Sequence, residues 1–153
     1  MIYFEDMLVG TTERFGRYEV QREDVLDFAR KFDPHPFHLS DEEAAKTHFG
    51  RISASGWHTC AMTMAMFVEH IQDIPHASHG GVGIDELRWT RPVYPGDILS
   101  METEILRKHR SRSRPEIGSV WTRMTTFNQD NVIVLDMTAI GIFALRDPAA
   151  DNA

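Results

Sequence analysis

The spacing of hydrophobic residues predicts helices in the first half of the chain. Apolar side chains recur at helical spacing over residues 25–32. This helix must end before Pro34, because the residue before a proline is pushed out of the α region. Ser40 and Glu43 have the spacing of a capping box and predict a shorter helix that stops near Gly50.

One further segment, residues 57–70, is apolar nearly all round. An amphipathic surface helix would show a polar face, so this pattern predicts a long helix buried inside the domain. The run is too short to span a bilayer, and Glu69 and His70 close it with polar side chains.

The second half of the chain has the composition and alternation of β-strands. Runs rich in β-branched and aromatic residues predict strands at residues 84–93, 98–108, 119–127 and 132–145. The turn Pro95-Gly96-Asp97, the basic segment 108–115 and the hairpin signal 128–131 separate them. Outside these runs we predict an entry arm or edge strand at 1–9, a strand at 15–20, a glycine-containing loop at 71–83 and a frayed tail at 147–153.

One buried helix followed by a meander of long strands predicts an α+β layer architecture. The sheet has to wrap the helix, because no other part of the chain can cover an apolar surface of that extent. This is the hotdog arrangement, and we predict a single domain over residues 1–153. An exposed edge strand needs a cover, so we expect a homodimer or a higher homo-oligomer.

The composition excludes several classes of partner. Hydrophobic residues make up 42% of the 153 residues and charged residues 25%, which is ordinary for a soluble globular protein. The net charge of −7 disfavours nucleic acid and anionic membrane surfaces, so we expect neither as a partner. The acidic start at residues 5–6 does not resemble a signal peptide, and the lone Cys60 suits a reducing compartment, so we expect a cytoplasmic protein.

The chemistry is concentrated between residues 33 and 56. The segment Asp33-Pro34-His35-Pro36-Phe37-His38 places an acid and an imidazole five residues apart on what the two prolines predict to be an extended loop. Ser55-Gly56 then opens the apolar helix, whose first N–H groups carry partial positive charge. These are the parts of an acid–base site, although a helix-end aspartate and a packed loop histidine are the alternative reading.

The same residues resemble a known family. The loop, Ala44 and Ala54-Ser55-Gly56-Trp57-His58 are similar to the MaoC-like dehydratases, whose hallmark is D-x-N-P-[aliphatic]-H, and within them to the R-specific enoyl-CoA hydratases. The segment from Gly83 to Asp97 resembles the family's stretch that ends in P-G-D. The resemblance covers most of the chain, from residue 10 to residue 145.

The resemblance implies a hotdog fold, usually dimeric, and reversible hydration of a trans-2-enoyl-CoA to an (R)-3-hydroxyacyl-CoA. It assigns catalysis to Asp33 and His38 and the oxyanion-binding N–H to Gly56. No cofactor is implied, because coenzyme A is part of the substrate. The chain departs from the family pattern at His35, where the family has Asn, and at Phe37, where it has an aliphatic residue; both departures bear on which acyl group fits.

We predict substrate binding by residues beside the acid–base pair and by a basic cluster: Phe37, Ser55, Trp57, His58, Arg110, Arg112 and Arg114. Guanidinium groups suit the phosphates of coenzyme A because arginine binds phosphate bidentately. The alternative for the cluster is a solvated hairpin loop, and the alternative for His58 is packing. Arg88 and Arg91 face either the ligand or the solvent.

The residues also bear on three alternative hypotheses. The histidines lack the i, i+4 pair plus carboxylate of a zinc enzyme, so no metal is predicted. A hotdog acyl-CoA thioesterase generally carries its catalytic acid on or near the central helix, whereas residues 55–67 contain no Asp or Glu. A non-catalytic acyl-thioester-binding subunit would not need the pair Asp33 and His38. The acyl group, and whether coenzyme A or an acyl carrier protein holds it, stay open.

Overall fold

The computed structural model describes residues 1–149 as a five-stranded antiparallel sheet with four helices. A single 3-10 turn at Phe4–Asp6 precedes the first strand. In chain order the elements are β1 (Thr12–Glu19), α1 (Arg22–Phe32), α2 (Pro36–Leu39), α3 (Asp41–Ala45), α4 (Gly56–Ile71), β2 (Ser78–Trp89), β3 (Ile98–Arg110), β4 (Ile117–Phe127) and β5 (Ile133–Ala144). The predicted tail falls partly within the described residues, and residues 150–153 lie outside them.

The strands follow the order β1-β3-β4-β5-β2, so β1 and β2 form the two edges of the sheet. One row of paired residues near one end of the sheet joins Ser78, Phe143, Gly118 and Arg110. A row at the other end joins Trp89, Leu135, Thr126 and Met101. The nine residue steps of β3 between Met101 and Arg110 separate these rows by about 30 Å, at about 3.3 Å per residue.

The long helix α4 packs against the sheet through a methionine-rich core. Met62 and Met66 are 2% and 1% exposed and share one apolar cluster with side chains from the strands. The strand members of that cluster include Leu99, Met101, Met124, Leu135 and Met137. The predicted α+β hotdog arrangement, a long helix against a curved antiparallel sheet, is therefore confirmed.

The prediction that α4 is buried all round is wrong for the single chain. Trp57, Met64 and Val68 are 60%, 42% and 50% exposed, and they lie on one side of the helix at spacings of seven and four residues. The sheet covers only the opposite side. The uncovered side is as apolar as the buried one, which is why the sequence pattern could not separate them.

The edge strand β2 begins earlier than the sequence indicates. We predicted a loop up to Gly83, but the strand starts at Ser78 and ends at Trp89. The pairing of β2 with β5 shifts register between Ser78 and Gly81 and again between Gly81 and Gly83, so the glycines lie at bulges. Gly80 has a φ of +95°, which disfavours any other residue. The glycines therefore mark bulges of an edge strand rather than a loop.

The proline-containing segment also differs from its prediction. Residues 36–39 form a four-residue helix, α2, instead of an extended loop. Pro36 occupies its first position, where a proline has the right φ and its missing N–H leaves no helical hydrogen bond unmade. Ser40 caps the next helix as predicted, since its hydroxyl accepts the backbone N–H of Glu43, but the capping box is not completed, because the Ser40 N–H donates to the Pro36 carbonyl. This helix ends at Ala45 rather than near Gly50.

Among the described residues, no helix is both long and apolar enough to cross a membrane.

Candidate active site

The acid of the site stands at the end of α1. The backbone N–H of Asp33 still donates to the carbonyl of Ala29 at 3.0 Å, and Pro34 then stops the helix. The Asp33 side chain is only 16% exposed. The helix end therefore holds a largely buried carboxylate in a defined place.

The imidazole of the site stands on α2. Nδ1 of His38 lies 2.7 Å from the carbonyl oxygen of Ser53, and because a carbonyl can only accept, Nδ1 carries the proton. Nε2 of neutral His38 is then an acceptor, and it lies 3.4 Å from Oδ2 of Asp33. His38 is 5% exposed. Two acceptor atoms thus face one narrow gap.

Hydrogen bonds keep the Asp33 carboxylate ionised. Burial by itself would raise the pKa of Asp33, but hydrogen bonds from His35 and Ser55, with the electrostatic influence of the neighbouring imidazoles, outweigh burial and lower the pKa. Nδ1 of His35 bonds directly to Oδ1 of Asp33. The carboxylate is therefore a charged hydrogen-bond acceptor at neutral pH.

The start of α4 closes the site from the other side. Ser55 is fully buried, and its hydroxyl accepts the N–H of Trp57 at 3.3 Å while also bonding Asp33. Gly56 is the first helical residue, so its own N–H has no intrahelical partner. A free N–H at the N-terminus of a helix stabilises an anionic oxygen, because the helix dipole places partial positive charge there.

Glycine at position 56 has a clear steric cause. A Cβ built there would lie 2.5 Å from the Trp89 indole, whose Nε1–H donates to the Gly56 carbonyl at 2.8 Å. A glycine at the start of a helix can also leave room for a substrate oxygen to approach the backbone. The structure shows that the side of the residue where Cβ would stand is filled by Trp89.

A cleft of about 440 Å³ opens beside these groups. This volume lies within the range of about 300–1,000 Å³ typical of small-ligand sites. Its lining consists of His38, His48, Phe49, Ala54, Gly56, Thr59, Trp89, Thr90, Arg91, Pro92 and Val93. Asp33 is not a lining residue, but its Oδ2 lies 3.4 Å from Nε2 of the lining residue His38.

Several of these lining residues were missed from the sequence. Thr59 lies one helical turn after Gly56, so helical spacing could have indicated it. His48 and Phe49 precede Gly50 in a turn region that carries no local signal for a site. For Arg91 we left open whether it faces ligand or solvent, and the structure places it in the cleft wall.

Three predicted binding residues contact the site's framework instead of lining the cleft. The rings of His58 and Phe28 stack at 4.7 Å, burial lowers the pKa of His58, and its Nδ1 has no partner among the described residues. Phe37 stacks on His35 and contacts His38 edge-on at 4.7 Å. Trp57 is 60% exposed and lies edge-on to Trp89 at 5.2 Å.

The basic cluster lies at the opposite end of the sheet within one chain. Arg110 belongs to the row of Ser78, whereas Gly56 contacts Trp89 in the other row, about 30 Å away along the strands. Arg110 donates to the carbonyls of Pro115 and Pro148, while Arg112 and Arg114 are exposed. One chain therefore does not bring the cluster to its own cleft.

The sequence of this chain is similar to those of known proteins. Residues 7–126 match the family described as MaoC like domain. The chain belongs to this family. A 3-hydroxybutyryl-CoA dehydratase of Methylorubrum extorquens is 31% identical over 142 residues, which cover 92% of this chain and 83% of that protein.

Two solved structures place the fold in the same family. The MaoC-like dehydratase from Rhodospirillum rubrum is 38% identical with a TM-score of 0.86, over 96% of this chain and 99% of that one. The R-hydratase PhaJ1 from Pseudomonas aeruginosa is 29% identical with a TM-score of 0.68, over 95% and 87%. The family resemblance inferred from the motif is thereby confirmed, and the relatives of this MaoC-like protein include hydratases and dehydratases.

Proposed function

We propose that this MaoC-like protein is a hydro-lyase that adds water to, or removes it from, the 2,3 double bond of an enoyl-CoA thioester. The observation that carries the proposal is the pairing of two acceptor atoms, Oδ2 of Asp33 and Nε2 of His38, which lie 3.4 Å apart beside the first turn of α4 so that one water can donate to both. Both atoms are acceptors, and a water molecule has two protons to donate.

In the hydration direction the water donates to both acceptors, and its oxygen attacks Cβ of the substrate as one proton passes to Asp33 or His38. The C–O bond forms while the π electrons move onto the thioester oxygen, which becomes an enolate. A protonated group of the pair then delivers a proton to Cα and the carbonyl reforms. Acid–base catalysis of this kind contributes about 10²–10⁴-fold.

The enolate oxygen gains negative charge during this reaction and needs donors in fixed positions. The N–H of Gly56 at the positive end of α4 meets this requirement. Removing a single donor of such an oxyanion site costs about 10²–10³-fold in kcat in known enzymes. The acid–base pair and the helix start act on opposite ends of the same conjugated system, Cβ and the carbonyl oxygen.

For the product we propose the (R)-3-hydroxyacyl thioester. The support is the similarity to an R-hydratase at 29% identity, together with the single face from which the Asp33–His38 gap presents water. The test is hydration of a trans-2-enoyl-CoA series, hydrolysis of the products and chiral chromatography of the 3-hydroxy acids. An (R) product supports the proposal. An (S) or racemic product contradicts it.

We also propose a homodimer formed through the edge of β2. Val82 and Ile84 are 66% and 49% exposed on this strand, and β2 pairs with β5 alone within residues 1–149. The exposed apolar side of α4, with Met64 and Val68, needs cover as well. A second copy that pairs edge to edge covers both surfaces and satisfies the unpaired backbone groups.

This pairing brings the basic cluster of one subunit towards the cleft of the other. Two-fold antiparallel pairing of β2 edges reverses the second sheet, so its Ser78 end lies beside the Trp89 end of the first. The second copy's basic loop, residues 111–116, then lies on the same side as the first copy's cleft. We propose that Arg112 and Arg114 bind phosphates of coenzyme A in the site of the other subunit.

A further inference from the structure

Asp33 is shared between two imidazoles. Oδ1 accepts from Nδ1 of His35, and Oδ2 faces Nε2 of His38 at 3.4 Å. His35 is the position at which the chain departs from the asparagine of the family motif. His35 does not line the cleft, and nothing in the reaction proposed above uses it.

His35 is exposed but held in place. Its side chain is 64% exposed, and ion pairs at such positions are usually weak, because two mobile side chains must be ordered and solvent screens the charges. Here Pro34 and Pro36 flank the residue, and its φ of −65° and ψ of 139° match the extended region to which a residue before proline is confined. The His35 ring also stacks on Phe37, with centroids 5.1 Å apart and 15° between the planes.

The flanking prolines and the stacking on Phe37 therefore already order the His35 side chain, so little conformational entropy is lost when it pairs with Asp33. The backbone adds to this order, since the N–H of His35 donates to the Asp33 carbonyl at 2.9 Å and the N–H of His38 donates to the His35 carbonyl at 2.9 Å. The three residues form one small hydrogen-bonded unit. A donor aimed at one oxygen of Asp33 fixes the rotation of the carboxylate plane.

We propose that His35 is a positioning residue that holds Oδ1 of Asp33, so that Oδ2 faces His38 and the water that donates to both atoms. The proposal rests on the hydro-lyase function. It assigns to this chain a second imidazole on the acid, one that contacts neither the substrate nor the reacting water and acts through Asp33.

Loss of the donor has a defined electrostatic consequence. Two titratable side chains face the carboxylate, His35 and His38, and His48 lies further off, in contact with Phe49. Burial raises the pKa of Asp33, and the hydrogen bond from His35 opposes burial most strongly. Without this bond the pKa of Asp33 rises, so the acid limb of the kcat/KM profile moves to higher pH.

The test compares His35→Phe with His35→Asn. Phenylalanine keeps a ring that can stack on Phe37 but removes the donor, whereas asparagine keeps an N–H donor. We expect His35→Phe to lower kcat about tenfold, the size of a hydrogen bond to a charged group, with little change in KM and an upward shift of the acid limb. We expect His35→Asn to stay within about threefold of the wild-type kcat.

A titration separates this inference from the function on which it rests. The ¹³C signal of the Asp33 carboxyl carbon is followed with pH in the wild-type protein and in His35→Phe, which needs no substrate. A higher Asp33 pKa in the variant, with the kcat loss and its recovery in His35→Asn, supports the proposal. An unchanged Asp33 pKa, or equal kcat losses in both variants, overturns it. If the pKa shift is present but the wild-type protein hydrates no enoyl-CoA, the hydro-lyase function has failed, and the role for His35 in that reaction is overturned with it.

Discussion

The indole of Trp89 occupies the space that a side chain at position 56 would need. Its Nε1–H donates to the Gly56 carbonyl at 2.8 Å, and a Cβ on residue 56 would stand 2.5 Å from the ring. The edge strand β2 and the first turn of α4 are thereby locked together at the mouth of the cleft. The position of the Gly56 N–H depends on this contact.

Gly56→Ala tests that dependence. The added methyl group must displace Trp89 or the start of α4, and overpacking of this kind costs about 1–3 kcal/mol of stability. We expect a lower Tm and a kcat reduced by about tenfold or more, because the N–H moves away from the substrate oxygen. Asp130→Ala in the exposed turn between β4 and β5 is the control, because it lies outside both the cleft and the proposed dimer edge. Equal losses of Tm and kcat in the two variants would contradict the role assigned to the Gly56–Trp89 contact.

Asp33→Asn and His38→Ala test the acid–base pair. Each removes one acceptor from the gap, so we expect kcat for hydration to fall by about 10²–10⁴-fold. His38→Ala also leaves the Ser53 carbonyl without its partner and destabilises the protein by about 1–3 kcal/mol. Asp33→Asn is close to isosteric and leaves the Ser53 carbonyl paired, so it separates the loss of catalysis from this loss of stability. The exposed Asp73→Asn serves as a control, and wild-type activity in both site variants would refute the roles assigned to the pair.

The trans contribution of the basic loop is tested with mixed dimers. Arg112→Glu with Arg114→Glu should raise KM for CoA thioesters and leave kcat nearly intact, while KM for pantetheine thioesters, which lack the nucleotide phosphates, stays unchanged. A heterodimer of this double variant with an Asp33→Asn subunit contains one intact acid–base pair facing one intact loop. We expect that site to show the wild-type KM. A raised KM in the heterodimer would mean that the loop serves its own subunit or none.

The lowered pKa of Asp33 predicts how stability depends on pH. A carboxylate whose pKa is lower in the folded state than in the unfolded state, where it is about 3.9, stabilises the fold above that value. This stabilisation is lost as the pH falls through the folded pKa. Urea unfolding should therefore show wild type more stable than Asp33→Asn at pH 6, with the difference closing below pH 4. A difference that stays constant over this range would contradict the prediction.

Local signals explain how much of the site was accessible from the sequence. Pro34 marks the end of α1 at Asp33, and Ser55 marks the start of α4 at Gly56. Each position is therefore indicated by a residue directly beside it in the sequence. The distance between Oδ2 of Asp33 and Nε2 of His38 was not accessible. It depends on α2 being a helix rather than an extended loop, and both conformations are compatible with Pro-x-Pro.

Long-range contacts account for what the sequence missed. Trp89 reaches Gly56 across 33 positions, and its place depends on the bulges that set the register of β2 against β5. Such bulges leave no unique mark, since glycines are equally typical of loops. The two apolar sides of α4 carry the same kinds of residues, so the pattern could not distinguish the core from an exposed surface.

Hydro-lyase activity is measured directly by following the absorbance of the enoyl-thioester band in a panel of trans-2-enoyl-CoAs, beside an assay for free thiol. We expect loss of the band without release of coenzyme A, and loss of that activity in Asp33→Asn. Thiol release with the enoyl band consumed at the same rate would identify a thioesterase. No change in either signal across the panel would contradict the hydro-lyase and leave a protein that binds acyl thioesters without converting them.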